Sequence, residues 1–283
     1  PPNLIDEGSN TLSTAVAIDG SVHRLRIENT ARLRSNERLP ASMTIYTRRR
    51  VSSATTRAKI IEAARTIFSL DDNLAPFYAR VESDPELRWA CAGAGRLLRS
   101  PTAFEDVVRT ICTTNCAWSA TKRMIGALVT HLGDEGVTFP HAQAMAAADE
   151  SFYRDVARAG YRGAYLRTLA QSVLGGEIDL EGWRGASAAE LPEDELERRL
   201  LRLPGVGPYA AAHVMMLFGR HSRLVLDSWT RPTYARLLCR RHVADRTIQR
   251  RFARYGSFAG LAFWLTLWRA RLIGEEEERP AVT

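Results

Sequence analysis

Leu203-Pro204-Gly205-Val206-Gly207-Pro208 lies between two stretches of helical periodicity, 193–202 and 208–218. Its glycines open backbone conformations closed to other residues and let a ligand approach the main chain. Pro208 suits the first turn of the second helix, whose N-terminal N–H groups are available to a phosphate. Taken alone, the stretch is either a tight helix–helix connection or a hairpin gripping a phosphodiester backbone through Leu203, Pro204, Gly205, Val206 and Gly207. Twenty residues after Gly207, Asp227 follows the apolar Leu224-Val225-Leu226 and precedes another helical stretch. A carboxylate there serves as a helix N-cap or as a reactive group.

Outward from the hairpin, helical spacing covers most of the chain. Ala58, Ile61, Ala64 and Ile67/Phe68 form one apolar face, and Asp71 is a candidate cap for the next helix. Further helices are predicted at 102–114, 117–132, 150–158, 163–174, 228–240, 245–253 and 257–272, with Thr102-x-x-Glu105 a capping box behind Pro101. The first 50 residues differ. Thr14–Ile18, Val22–Glu28 and Met43–Arg48 alternate apolar and polar residues, and Asp19-Gly20 is a hairpin signal. The expected fold is mainly α with a small amino-terminal antiparallel β-sheet (α+β). The sheet region is placed at 1–54 and the helical core at 55–283, part of it packing with the sheet. No internal repeat and no low-complexity segment other than Glu275–Glu278 interrupts this plan.

Composition narrows the chemistry. The 283 residues include 39 basic and 32 acidic side chains, a net charge of +7 that favours polyanionic partners. Only Lys59 and Lys122 are lysines, which nearly excludes Schiff-base catalysis. Between Arg220 and Arg254 ten arginines face two aspartates, a net +8, so this segment is either a solvated face or a phosphate-tracking surface. No apolar run reaches the ~18 residues of a membrane span. Pro1 to Thr11 lacks a signal-peptide layout. Cys91, Cys112, Cys116 and Cys239 lack metal-site spacing and suit buried thiols in a reducing cytoplasm, so no zinc site is expected.

Hairpin, helix and Asp227 at this spacing resemble the helix-hairpin-helix DNA glycosylases. Gly160-Tyr161-Arg162-Gly163-Ala164-Tyr165 resembles the GYR-x-x-Y element of the 8-oxoguanine branch, and Ile111-Cys112-Thr113-Thr114-Asn115 that branch's asparagine-ending segment. Arg96-Leu97-Leu98-Arg99 with Phe104-Glu105 resembles the lead into the same helix. The likeness covers about residues 60–275, and the sheet resembles that of the 8-oxoguanine and alkylpurine branches. It implies base excision repair on double-stranded DNA by a monomer, cytoplasmic and nucleoid-associated in a bacterium or nuclear in a eukaryote. A damaged or mispaired base is flipped out and its N-glycosidic bond broken. Asp227 would be the catalytic carboxylate, stabilising positive charge on the sugar and orienting water. Asn115 matches the plug that fills the gap, or simply terminates a helix. Arg162 would contact the opposite strand or a phosphate, and Arg231 belongs to the basic surface around Asp227. A monovalent cation at the hairpin carbonyls is also implied.

Departures from the family matter as much. Tyr209 stands where the bifunctional 8-oxoguanine enzymes carry their lysine nucleophile, which predicts a monofunctional glycosylase that leaves an abasic site. Tyr209 itself either packs against the flipped nucleotide or seals the hairpin. No cysteine follows Cys239, so the iron–sulfur cluster of the mismatch branches is not expected, nor is any required cofactor. Phe263, Leu267 and His213 align with base-contacting positions, and an aromatic there favours stacking on alkylated bases. Phe263, Trp264 and Trp268 also read as a core stripe. The alternatives are a bifunctional 8-oxoguanine-type glycosylase/lyase with another amine and a non-catalytic DNA-binding hairpin protein. A helix-turn-helix regulator is more distant, since its turn would present base-edge readers.

Overall fold

The computed structural model describes residues 3–6, 8–29 and 43–277. Its strands are β1 (Leu4–Asp6), β2 (Thr11–Ile18), β3 (Ser21–Asn29) and β4 (Met43–Thr47). The helices that follow are α1 (Ala54–Ile67), α2 (Ala75–Val81), α3 (Ala103–Thr113), α4 (Trp118–Leu132), α5 (Ala142–Ala147) and α6 (Arg162–Leu174). After these come α7 (Leu180–Gly185), α8 (Glu193–Leu201), α9 (Pro208–Leu217), α10 (Thr230–Leu237), α11 (Asp245–Phe252) and α12 (Ala259–Glu277). The fold is mostly helical with one small antiparallel sheet, as expected. Glu278 of the terminal acidic run lies outside the described residues. Among the described residues, no helix is long and apolar enough to cross a membrane.

The chain forms two compact units, one of residues up to Phe68 with Arg99–Leu180, the other of Ser69–Leu98 with Glu181 onward. In the first, the sheet runs β1-β2-β3-β4. Asp19 and Gly20, at φ 51° and 72°, form the two-residue turn that pairs Ile18 with Ser21. Both positive angles are what a primed hairpin turn demands. Strand alternation turns Leu12, Val16, Leu25 and Ile27 inward onto Ile60, Ala64 and Ile67 of α1. β1 is illegible in the sequence because three residues are too few to show alternation. Thr102 caps α3, accepting from Glu105 N at 3.2 Å. Glu105 is buried, which pushes its carboxyl pKa up, while Arg109, donating at 2.7 Å, opposes the shift. Where the sequence predicts a helix over 150–158, the chain makes one wide π turn, Phe152–Val156, closed by Ala157 N on Phe152 O at 2.9 Å.

The second unit wraps a core of Phe77, Leu87, Tyr234, Phe252, Leu261, Phe263 and Leu267. Asp71 does not cap α2. That helix starts at Ala75 behind Leu74, and Asn73 Oδ1 accepts from Ala75 N at 3.1 Å. The expected helix at 228–240 is shorter at both ends: Asp227 organises the turn before it, and Cys239 adopts a left-handed φ of 52° after it. Burial of the thiols holds only in part. Cys112 is buried and its pKa is pushed up to about 12 by desolvation, but Cys91 and Cys239 are exposed.

Candidate functional site

In the second unit, α8 buries Leu196 and Leu200 and ends at Arg202. Leu203 N then donates to Leu200 O at 3.0 Å and Val206 N to Leu203 O at 3.1 Å, closing the hairpin. Gly205, at φ 80°, holds a conformation that disfavours any side chain. Gly207 is extended, and nothing stands within 4 Å of where its Cβ would be. The protein's own packing therefore explains Gly205 and leaves Gly207 open to a close neighbour from outside. The side chains of Leu203 and Val206 are buried and anchor the hairpin, so any contact these two residues make is through the main chain. The surface available for gripping is the backbone near Gly205 and Gly207, with Pro208 opening α9 as expected.

Asp227 combines both readings of its carboxylate. Oδ1 accepts from Trp229 N at 2.8 Å and Thr230 N at 2.6 Å, while Asp227 N donates to Thr230 Oγ1 at 2.8 Å. This reciprocal arrangement fixes the side chain at the entrance to α10. Among the described residues Oδ2 carries no hydrogen bond. One oxygen is structural and the other is available.

Around it stands a row of half-buried aromatic rings. Trp229 lies 5.9 Å from Trp264, measured between ring centroids, and 6.5 Å from Trp268. Trp264 meets His213 edge-on at 6.3 Å, and His213 lies 6.0 Å from Tyr209. Tyr209 and His213 are one helical turn apart on α9, as Trp264 and Trp268 are on α12, so each pair shares a face. Burial lowers the pKa of His213 and the negative charge of Asp227 works against that shift. The imidazole is thereby biased to its neutral form. Phe263 and Leu267 are not pocket residues. Both are fully buried, with Phe263 packed on Phe252 and Tyr234 at 5.1 and 5.7 Å. Successive helical residues point about 100° apart, so a one-residue offset exchanges core for site. Trp264 packs on Ala212, Met216 and Val225 as part of a core stripe would, but both it and Trp268 stay half-buried beside Trp229.

Arg231, read from the sequence as part of the basic surface, is ion-paired within the protein. Its guanidinium is held by Asp245 through two hydrogen bonds, 2.7 and 2.9 Å, rather than standing free for a phosphate.

The first unit carries Asn115 and Arg162. Asn115 is exposed, sits at a left-handed φ of 46° just beyond α3, and its Nδ2 donates to Tyr161 Oη at 3.5 Å. Arg162 is only 7% exposed and cannot serve as an outward DNA contact. Its Nε donates to Thr114 O at 3.1 Å, Nη2 donates to the same carbonyl, and the guanidinium lies 4.6 Å from the Tyr161 ring. It supports the residues on either side. The exposed groups are Tyr161 and Trp118, at 54% and 66%, which sequence reading passed over although exposed aromatics near an asparagine turn are a usable signal. Lys59 pairs with Asp19, and Lys122 is exposed on α4.

No protein-family model matches the chain. A DNA-3-methyladenine glycosylase of Bacillus subtilis (strain 168) is 23% identical over 56% of this chain. The chain spans about half of that relative, 54% of its length. Among solved structures, the 3-methyladenine DNA-glycosylase of Archaeoglobus fulgidus matches with a TM-score of 0.71 and 17% identity, covering 96% of this chain and 90% of that one. The Clostridium acetobutylicum 8-oxoguanine glycosylase/lyase, in complex with double-stranded DNA containing cytosine opposite 8-oxoguanine, matches at 0.68 and 20%, covering 96% and 88%. These are helix-hairpin-helix DNA glycosylases, and the chain has their fold.

Proposed function

We propose that this protein is a DNA glycosylase of base excision repair that hydrolyses the N-glycosidic bond of a damaged base, without lyase activity. The observation that carries the reading is Asp227: one oxygen is locked by Trp229 N and Thr230 N, the other carries no hydrogen bond among the described residues, and the carboxylate is near enough for its charge to act on His213. Bond cleavage builds positive charge on the sugar, and a carboxylate held in place stabilises it without reorganising. The same oxygen can orient the attacking water. Water is the nucleophile in this reading because Tyr209, at the position where the resembled bifunctional enzymes carry their lysine, has no amine, and Lys59 is paired with Asp19. The abasic sugar and its backbone then remain intact.

An alkylated purine is the substrate class we favour. A cationic, electron-poor base gains from stacking on indole faces, and Trp229, Trp264 and Trp268 supply three. Neutral His213 offers one ring nitrogen as donor and the other as acceptor for a base edge. The hairpin backbone would hold a phosphate, and a monovalent cation at its carbonyls remains part of the proposal. Asn115 would fill the vacated stack, with Tyr161 beside it.

The test is a panel of duplexes, each carrying one lesion: an alkylpurine, 8-oxoguanine, uracil, thymine opposite guanine, or hypoxanthine. Strand breaks that need alkali, greatest on the alkylpurine duplex, are expected. Breaks without alkali would remove the monofunctional assignment, and no excision on any duplex would leave only a DNA-binding protein.

A further inference from the structure

A second basic feature lies in the first unit, on residues the glycosylase reading does not use. A cavity of about 630 Å³ opens where the β2–β3 turn meets the segment that follows β4. Arg24, Arg48, Arg49 and Arg50 line it together with His23, Asp19 and Glu135. Its two carboxylates are already engaged: Asp19 pairs with Lys59, and Glu135 with Arg24 at 3.4 Å. Arg48, Arg49 and Arg50 are exposed and form no ion pair among the described residues. Three uncompensated guanidinium groups therefore share one concavity.

The cavity floor is built rather than incidental. Arg57 Nη1 donates to Val51 O and Ser52 O, both at 2.9 Å, and Thr47 Oγ1 donates to Arg49 O at 2.9 Å. These bonds fix the turn that carries the three arginines. His23 also lines the cavity, and its Nε2 is shielded from solvent with no hydrogen-bond partner among the described residues.

We propose that this cavity is a second nucleic-acid contact, binding consecutive phosphates of a duplex backbone through Arg48, Arg49 and Arg50. It rests on the reading of the protein as DNA-acting, but uses none of the residues assigned to catalysis. Guanidinium forks match phosphate oxygens in charge and in paired hydrogen bonds. No Phe, Tyr or Trp lines the cavity, so it lacks the broad stacking platform that single-stranded bases need. The contact is therefore to backbone and indifferent to sequence.

Phenylglyoxal labelling of the full chain, read residue by residue by mass spectrometry, tests this with an undamaged duplex. Arg48, Arg49 and Arg50 are expected to be protected by duplex, and not by inorganic phosphate or a mononucleotide at equal phosphate concentration. The variant Arg48→Gln/Arg49→Gln/Arg50→Gln should bind undamaged duplex about tenfold more weakly at low salt, since each lost phosphate contact lowers affinity and its salt dependence. Its excision rate with saturating protein should be unchanged. Full labelling under saturating duplex, or equal protection by free phosphate, overturns the proposal. Because the duplex has no lesion, failure of the glycosylase reading would show in the lesion panel and not here.

Discussion

At the scale of single residues, Asp227 holds two roles that sequence alone could only offer as alternatives. A carboxylate before a helix is an N-cap in most proteins, and Oδ1 is one here, with N–H donors at 2.8 and 2.6 Å. The two roles separate experimentally. Asparagine keeps a capping oxygen, so Asp227→Asn should unfold at nearly the wild-type temperature while excision falls on the order of 10²–10³-fold, the range for losing one electrostatic contact. Asp227→Ala removes the cap as well and should cost about 0.5–2 kcal/mol of stability in addition. Single-turnover excision beside thermal melts of both variants decides the matter. Near-normal excision by Asp227→Asn would mean that the carboxylate is only a cap. Arg162 teaches the opposite lesson. An arginine in a basic chain reads as a DNA contact, yet Arg162 is buried and its guanidinium donates to the Thr114 carbonyl just beyond α3.

Among the elements, what was legible depended on how local the cause was. Hairpin, caps and helix periods are written within a few residues, which is why α1, α3, α4, α8 and α9 fall close to their expected ranges. Which side of α12 faces the core is decided by distant partners. Phe263 turns to Phe252 and Tyr234, leaving Trp264 to meet Trp229 and His213. The start of α12 shows how that rotation is set. Gly260 N donates to His221 O at 2.7 Å, and a Cβ on Gly260 would stand 2.1 Å from Arg223 O. Only glycine lets the helix approach the segment leading to Asp227 so closely. Gly260→Ala is therefore expected to destabilise by about 1–3 kcal/mol, as overpacking does. It should also lower excision at temperatures where the variant is fully folded, because Trp264 and Asp227 are displaced relative to each other. A folded variant with unchanged excision would show that this register is not needed for the chemistry.

At the scale of the whole molecule, charge must be counted in space rather than along the chain. The window from Arg220 to Arg254 carries +8 in sequence, but much of it is answered by carboxylates from elsewhere in the same unit. Arg223 bonds Asp194 and Glu197, Arg251 bonds Glu86, and Arg254 bonds Asp84, while Arg231 bonds Asp245, which is already counted within the window. Arg220 is buried and donates to Ala186 O. By contrast, Arg240, Arg241, Arg246 and Arg250 are exposed and carry no ion pair among the described residues. Only unpaired arginines can exchange counterions for phosphates without first breaking a protein contact. The log–log salt slope of duplex binding should therefore fall by roughly 0.9 for each of these four that meets a phosphate when it is changed to glutamine. Arg231→Gln and Arg251→Gln should leave the slope nearly unchanged and affect melting instead, by no more than about 1 kcal/mol each given their exposure. Binding isotherms across a salt series would reverse this division if the slope tracked the paired arginines. The basic segment would then act on DNA only after its internal ion pairs had opened.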